Sequence, residues 1–361
     1  MRDITEKYDI IKKYDIINFI VKKEIPRRIS VKTRRMLRKC LIVLLCIAAA
    51  VGIIGAAQFY HRSDPKNLKQ FDTSNPFITG TTTISAHRSG AGDFPEETLA
   101  AFRGCVESPG LHVTYFEFDL HMTADNILVL SHDDTLDRVS DAVSVFGEKD
   151  IQVREKTLEE LKQLNMAAQF VNDAGEMPYA ELHGSSVPDE LRILSLDEVL
   201  DYLTSAGEFR YIIEIKDGGD TGLAAADQLY ATLKERGLLN RVIIGTFRDE
   251  VANYITKNYP DTHRSASPAE VVQFYLAALT DKKDFTCSYD VLQLPFNNAG
   301  SSFGINLGLV KIINYAHAHD LAMQYWTVNS EEDMEYLISI GADALITDYP
   351  DRAAAIISRH P

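Results

Sequence analysis

Two acidic residues, Glu117 and Asp119, lie two positions apart within the otherwise apolar stretch Phe116–Leu120. Because side chains alternate between the two faces of a strand, this pattern predicts that both carboxylates project from the same face. Like charges held so close repel each other, and a divalent cation bound between them would relieve the repulsion. Such pairs also occur on solvated faces of sheets, so a surface pair is the alternative.

Ionisable side chains also stand at the ends of three other predicted strands. They are His87 and Arg88, His132, and the pair Glu214 and Lys216. In a parallel barrel the carboxyl ends of the strands lie at one rim, so residues far apart in the sequence meet there. Because ionisable residues stand at the ends of four predicted strands, a functional site is favoured over a solvated pair of carboxylates.

The elements that would position these residues alternate between strand and helix from about residue 81 onward, which predicts an α/β fold with a parallel sheet. Roughly eight such units fit a closed (β/α)8 TIM barrel better than an open doubly wound sheet. The sequence has no glycine fingerprint for a dinucleotide. A barrel would bring together at one rim His87, Glu117, Asp119, His132, Glu214 and Trp326.

Residues 134–195 interrupt the alternation. They contain one short helical stretch, Leu158–Leu164, between polar loops. We interpret this segment as an insertion that could overhang the site at the rim.

The sequence resembles the glycerophosphodiester phosphodiesterase family over about residues 82–358. The motifs that carry the resemblance, in order, are Ala86-His87-Arg88, Pro95–Phe102, Glu117–Thr123, Ser131–Arg138, Glu214-Ile215-Lys216, Trp326–Asn329 and Leu345–Pro350. The resemblance implies a TIM-barrel hydrolase in which a divalent cation bridges the enzyme and the substrate phosphate.

By position in these motifs, Glu117, Asp119 and Glu214 would be the protein ligands of that cation. Three carboxylates suit Ca²⁺ or Mg²⁺, and no cluster of Cys and His suggests zinc. His87 and His132 would be the general acid and the general base, since imidazole titrates near neutral pH. Which imidazole has which role stays open.

The resemblance also implies residues that bind the substrate. Arg88 would hold the non-bridging phosphate oxygens, and Lys216 would add a positive charge beside the cation. Each could instead be an ion-pair partner of a ligand carboxylate. Glu96 would lie in or next to the site, and Trp326 would offer a flat wall to the glycerol or the head group, unless it is an ordinary core residue of the rim.

Two positions depart from the motifs of the family. Ser89-Gly90 stands where the family has Gly directly after His-Arg, and Glu97 stands where it has Asn. The spacing of eight positions between His87 and Pro95 is kept, and no proposed ligand or proton carrier is lost. We expect these changes to alter loop shape or substrate preference.

The charge of the chain is unevenly distributed. Residues 1–39 carry a net charge of +8, residues 40–60 contain no charged side chain, and residues 62–361 carry −23. Because residues 62–361 are strongly acidic, they lack the general phosphate-attracting surface of a nucleic-acid-binding protein. We therefore expect no nucleic acid among the partners of this protein.

Residues 40–60 match the length of a helix that crosses a bilayer. The preceding basic segment, residues 1–39, is longer than the usual leader of a cleaved signal peptide, which is the alternative. Basic residues on the amino-terminal side predict a single-pass protein of the cell membrane with its N-terminus in the cytoplasm. Residues 61–80 then read as a polar linker, and residues 81–361 as an extracytoplasmic catalytic domain.

The function that follows is a metal-dependent phosphodiesterase that hydrolyses glycerophosphodiesters to an alcohol and glycerol phosphate. One alternative keeps this chemistry but takes lysophospholipids, or glycerol-phosphate polymers of the cell wall, as substrates. Another is a barrel without activity that acts as a binding module. Against the latter, none of the proposed ligands or proton carriers is missing.

Overall fold

The computed structural model describes residues 62–296 and 306–359. Its strands form one sheet: β1 Thr83–Ala86, β2 Tyr115–Met122, β3 Leu128–Leu130, β4 Arg210–Ile215, β5 Val242–Gly245, β6 His263–Arg264, β7 Val291–Pro295, β8 Ala322–Trp326 and β9 Ala344–Thr347. Eight strands pair in parallel in the order β6-β5-β4-β2-β1-β9-β8-β7. A bridge between Ser265 and Val291 joins the two ends of this order, and β3 pairs with β2 as an antiparallel hairpin.

Ten α-helices lie in the described residues: α1 Leu99–Glu107, α2 Ala142–Phe146, α3 Leu158–Leu161, α4 Leu196–Ala206, α5 Gly219–Glu235, α6 Asp249–Asn258, α7 Pro268–Thr280, α8 Val310–His317, α9 Glu331–Ser339 and α10 Pro350–Ile357. Each of the eight parallel strands is followed by one helix, and α2 and α3 are the exceptions. The predicted (β/α)8 barrel is confirmed.

Strand β2 shows why the sequence folds in this way. Its outward side chains Phe116 and Phe118 pack on Phe102 of α1, with ring centroids 5.5 and 5.9 Å apart. The alternate positions, Glu117 and Asp119, therefore face the barrel interior. Burial of the aromatic face sets the register of the strand, and that register fixes where both carboxylates lie.

The predicted insertion has a core of its own beside the hairpin of β2 and β3. Buried Leu136, Val153, Leu161 and Ile193 pack together there with Val129 of β3. The helix predicted for residues 158–164 ends at Leu161, and the peptide N–H of Lys162 closes its last turn. The insertion is thus a folded subdomain that carries residues 131–138 to the rim of the barrel.

Residues 62–80, which we predicted as a polar linker, pack along the barrel instead. Asn75 donates to the backbone carbonyls of Asp290 and Asp320, at 2.7 and 2.8 Å. Phe77 is buried among residues in the first halves of several strands, including Tyr115 and Ile212. This part of the chain therefore closes the end of the barrel opposite the carboxyl ends of the strands.

The predicted basic segment, residues 1–39, and the predicted span, residues 40–60, lie outside the described residues. Among the helices of residues 62–296 and 306–359, none has the length and apolar character needed to cross a membrane.

Candidate active site

Three carboxylates meet inside the carboxyl end of the barrel. Asp119 on β2 is directly opposite Glu214 on β4, and Glu117 precedes Asp119 on the same face. One oxygen from each of the three lies within 4.8 Å of the others. Glu117 and Asp119 are buried, and Glu214 is nearly so. The structure thus places together the three residues predicted as metal ligands.

Lys216 is the cation closest to this cluster. Its Nζ atom lies 2.9 Å from Asp119 Oδ1 and 2.9 Å from Glu214 Oε1. Burial by itself lowers the pKa of Lys216, but the two carboxylates outweigh burial and raise it. Lys216 is therefore protonated, and it offsets only part of the negative charge of three carboxylates.

The cluster fits a hard divalent cation. Asp119 Oδ2 is buried and has no hydrogen-bond partner among the described residues, and the Nε atom of Arg88 remains 3.8 Å away. Burial, followed by the charge of Asp119, raises the pKa of Glu117 to about 7 and that of Glu214 to about 6. A cation coordinated by these oxygens would supply the missing partner and favour the ionised carboxylates.

His87 lies beside the cluster at the end of β1. Its Nδ1–H donates to Asp348 Oδ1 at 2.6 Å, which leaves Nε2 4.0 Å from Glu117 Oε2. Asp348 in turn accepts from the side chain of Asn329 at 2.6 Å. Burial lowers the pKa of His87, but Glu117 and Asp348 together outweigh burial and raise it. Asp348 therefore fixes both the tautomer and the direction of this imidazole.

The turn after β1 has an unusual backbone. Arg88 and Ser89 adopt φ angles of 45° and 63°, and Gly90 follows at 87°. This conformation directs the peptide N–H of Arg88 to Glu117 Oε2 at 2.7 Å. Two non-glycine residues in the left-handed region are sterically unfavourable, and such strain concentrates at functional sites. Ser89, one of the departures from the family, takes part in this turn.

His132 follows β3 and is held in the same way as His87. Its Nδ1–H donates to Asp133 Oδ1 at 2.6 Å, and Asp133 also accepts from the Nε of Arg138. Burial, together with the positive charges of Lys216 and Arg88, lowers the pKa of His132, although Asp119 opposes them. The charges of Asp119 and His132 thus act on each other across the site.

Glu96 connects the insertion to the turn after β1. It accepts two hydrogen bonds from Arg138, at 2.8 and 2.7 Å, and lies 3.5 Å from Arg88. We predicted Glu96 among the residues that bind the substrate, and that role stays a prediction. The structure pairs its carboxylate closely with Arg138, so Glu96 also positions that arginine.

Glu97, the second departure from the family, is buried beside the cluster. It adopts a φ angle of 56°, and its Oε1 accepts from the peptide N–H of Asp119 at 2.7 Å. Burial and the neighbouring carboxylates raise the pKa of Glu97 well above its ordinary value. An asparagine, which the family has here, tolerates this backbone conformation more easily.

Trp326 ends β8. It lies at the opening at the carboxyl end of the barrel, which we call the mouth, on the side away from β1 and β2. Its ring makes an edge contact with Phe247, with centroids 5.8 Å apart, and Phe247 is 55 % exposed. The mouth is therefore two-sided: charged groups follow β9, β1, β2 and β4, and aromatic rings follow β5 and β8.

Of the nine residues that we singled out, Glu117 and Asp119 lie within β2, Glu214 and Trp326 lie in the last two positions of β4 and β8, and the others lie in the segments that follow the strands. Sequence reasoning missed four others as site residues: Glu97, Asp133, Arg138 and Asp348. Each lies within a quoted motif, and a carboxylate next to a histidine was the available signal for Asp133. Asp348 lies 261 positions from His87, and no pattern in the sequence indicates their contact.

Comparisons with known proteins found relatives whose similarity spans all of these residues. A family model described as "Glycerophosphoryl diester phosphodiesterase family" matches residues 87–352. A glycerophosphodiester phosphodiesterase of Caldanaerobacter subterraneus is 26% identical over 278 residues, which cover 77% of this chain and 98% of that protein.

Solved structures share the fold. A glycerophosphoryl diester phosphodiesterase domain from Mycobacterium tuberculosis superposes with a TM-score of 0.59 at 20% identity and covers 78% of this chain and 100% of that one. A phosphodiesterase of Oleispira antarctica, solved with the product sn-glycerol-3-phosphate, gives a TM-score of 0.56 at 20% identity, with 78% and 99% covered.

Proposed function

This chain belongs to the glycerophosphoryl diester phosphodiesterase family and is a phosphoric diester hydrolase, and from that membership we propose how its residues perform the reaction. Its substrate is a glycerophosphodiester, which it hydrolyses to an alcohol and glycerol phosphate. The Oleispira antarctica relative, solved with sn-glycerol-3-phosphate, supports this choice of product.

Glu117, Asp119 and Glu214 would hold a divalent cation, Ca²⁺ or Mg²⁺. When bound, such a cation would supply Lewis acidity toward the phosphoryl oxygens and offset negative charge on them. The unpartnered Asp119 Oδ2 and the excess of carboxylates over cations in the cluster support this assignment.

The residues of the chain bind the phosphate and move the protons. Arg88 lies 3.5 Å from Glu96 and 3.8 Å from Asp119, so its guanidinium stays next to the cluster without a close ion pair. It can therefore turn its N–H groups to the non-bridging oxygens of a substrate. Lys216 adds a positive charge beside Asp119 and Glu214.

His87 and His132 are the proton carriers. One imidazole accepts the proton of the attacking hydroxyl group, and the other donates a proton to the leaving alcohol. Each ring has its Nδ1 atom fixed by a carboxylate at 2.6 Å, so the Nε2 atoms remain for the substrate. This matched pair of oriented imidazoles beside three carboxylates is the observation that carries the proposal.

The test uses the full chain, treated with EDTA and assayed with glycerophosphocholine. We expect release of choline and glycerol phosphate to require added Ca²⁺ or Mg²⁺. The His132→Ala variant should lose hydrolysis yet keep its metal affinity and melting temperature. Full activity in the presence of chelator, or in this variant, would contradict the mechanism.

We also propose that residues 40–60 anchor the protein in the cell membrane, with the N-terminus in the cytoplasm and the barrel outside. The absence of charge over those residues and the net charge of +8 before them support this topology. The test is protease treatment of intact cells that produce the protein. We expect the barrel to be cleaved from outside, and its full protection until the membrane is opened would reverse the topology.

A further inference from the structure

Strands β7 and β8 carry a pair of glutamines inside the barrel. Val291 and Ala322 belong, with Phe77, to the cluster of buried side chains that closes the base of the barrel, the end opposite the mouth. Side chains two positions further along a strand point the same way, so Gln293 and Gln324 form part of the next layer towards the mouth. The register pairs these two residues directly. Their amide groups therefore lie side by side, one layer above the base.

The same layer contains a predicted metal ligand. Ile212 and Ile243 belong to the cluster at the base, and two positions further along β4 and β5 lie Glu214 and Gly245, which are paired in the register. In the closed order of the eight parallel strands, β7 is the fourth from β2 in either direction. Gln293 on β7 therefore faces the carboxylate cluster from the opposite wall of the barrel.

Gly245 leaves space between the two walls. A Cβ atom at this position would lie 3.6 Å from Gln293 Oε1, 3.5 Å from Ser265 Oγ and 3.8 Å from the Cα atom of Glu214. Bulky branched side chains usually fill the layers inside such a barrel, but here a glycine and two glutamines take three of the places. Gln293 is partly exposed although the base is closed. Its amide is therefore accessible from the mouth.

Gln324 fixes the direction of the Gln293 amide. Its Oε1 atom accepts from Gln293 Nε2 at 3.0 Å, which leaves Gln293 Oε1 on the side of Gly245. Gln324 is fully buried, and its own Nε2 atom has no hydrogen-bond partner in the part of the chain that the structure describes. Because a buried amide with an unpaired N–H group costs free energy, packing alone does not account for this pair. The arrangement favours a binding role.

Aromatic rings stand above this polar layer. Trp326 lies two positions after Gln324 on the same face of β8. Phe247 follows β5, and its ring meets that of Trp326 at 88°, with centroids 5.8 Å apart. A pocket with aromatic walls and an amide oxygen at its floor fits a short polyol. The C–H groups of such a molecule pack on the rings while a hydroxyl group donates to the amide.

We propose that Gln293 binds a hydroxyl group of the glycerol moiety of the substrate and that Gln324 positions the Gln293 amide for this contact. This deepens the proposed function and rests on it. A phosphate bound at Glu117 and Asp119 would extend its glycerol group across the barrel towards β7. The two glutamines then select glycerophosphodiesters over phosphodiesters of alcohols that lack further hydroxyl groups.

The first test compares two substrates of the full chain, glycerophosphocholine and n-propyl phosphocholine, which has the same carbon chain without the two free hydroxyl groups. A site that binds a hydroxyl group rejects an analogue without one, because the polar group of the site is then left unpaired. We expect kcat/KM to be at least about 100-fold higher for glycerophosphocholine. A ratio under about tenfold would overturn the proposal.

The variant Gln293→Met keeps the length of the side chain but removes its hydrogen-bonding groups. We expect kcat/KM to fall about 10- to 100-fold for glycerophosphocholine and less than about twofold for n-propyl phosphocholine. Gln324→Met leaves Gln293 in place but frees its amide, so the first value should fall about 3- to 10-fold and the second should not change. Equal falls on both substrates would assign the glutamines a merely structural role and overturn the proposal.

The matched control is Gln228→Met, the same change on the outer helix α5, where Gln228 donates to the backbone carbonyl of Asn126 at 3.3 Å. Because this contact lies outside the barrel interior, the control should alter kcat/KM for neither substrate.

Binding is measured separately, by calorimetry of the full chain with Ca²⁺, using sn-glycerol-3-phosphate and n-propyl phosphate. We expect the unaltered protein to bind the first at least about tenfold more tightly, and Gln293→Met to lose this preference. The same preference in both proteins would overturn the role of Gln293. Hydrolysis of neither diester would refute the proposed function itself, and the binding preference would still decide whether Gln293 binds a hydroxyl group.

Discussion

His87 and Asp348, 261 positions apart, form a hydrogen bond of 2.6 Å between Nδ1 and Oδ1 at the junction of β1 and β9. The parallel pairing of Ala86 with Thr347 brings these two strand ends side by side. An imidazole that donates from Nδ1 to a carboxylate presents Nε2 to the substrate, and the carboxylate stabilises the ring when it takes up a proton.

We therefore predict that Asp348→Asn lowers kcat by about 10²-fold, because the amide neither holds the tautomer nor stabilises the imidazolium. The KM should change little, since Asp348 does not contact the substrate. The matched control is Asp343→Asn, which alters a similar pair, Asp343 and His317 at 2.9 Å, outside the site. It should lower the melting temperature without lowering kcat, and equal losses of kcat in both variants would assign Asp348 a merely structural role.

Arg138 leads to a second prediction, because it joins Glu96 to the carboxylate that holds His132. Arg138→Lys keeps the charge but cannot form both contacts, so we expect kcat to fall about 10- to 100-fold through misplacement of His132. Steady-state kinetics over a range of pH measure this. Arg236→Lys is the control, since Arg236 bridges Asp197 and Asp201 in the same way on the surface. An Arg138→Lys enzyme with unchanged kcat would remove Arg138 from the positioning of His132.

The residues that could be predicted from the sequence are those whose place depends on local pattern. Glu117 and Asp119 follow from alternation along one strand, since Phe116 and Phe118 must pack outward. Asp348 could not be found, because its partner is set by barrel closure and not by neighbours in the sequence. The docking of residues 62–80 was also missed. Its anchor, Phe77, is a lone aromatic side chain in a polar stretch, with no periodicity to signal burial.

Phe77 leads to a third prediction, on stability. Phe77→Ala should lower the free energy of unfolding by about 3–5 kcal/mol, because it leaves a cavity at the base of the barrel. Phe71→Ala, in the same segment but at a position 36 % exposed, should change it by less than about 0.5 kcal/mol. Denaturant unfolding of both variants in the full chain gives the comparison. Equal changes in the free energy of unfolding would show that Phe77 contributes no more to stability than the surface residue Phe71.

The carboxylate cluster itself leads to the last prediction. The folded state raises the pKa of Glu117 from 4.5 to about 7, so the metal-free folded protein holds a proton there that the unfolded chain has released. Stability should accordingly fall as the pH rises from about 4.5 to about 7 and then level off at this group. Thermal unfolding in chelator measures this slope, and Glu117→Gln, which cannot ionise, should reduce it, while Glu97 and Glu214 account for the remainder.

Added Ca²⁺ or Mg²⁺ should reverse the effect, since the cation replaces the proton as the partner of these oxygens. We expect the ion to raise the melting temperature more at pH 8 than at pH 5, because binding at pH 5 must first displace protons. Calorimetry should show an affinity at least about tenfold lower for Glu117→Gln. Glu198→Gln, which alters an ion pair with Lys162 on the surface, is the control and should bind like the unaltered protein. If the cation stabilises the unaltered protein and the Glu117→Gln variant equally at both pH values, it binds outside the carboxylate cluster.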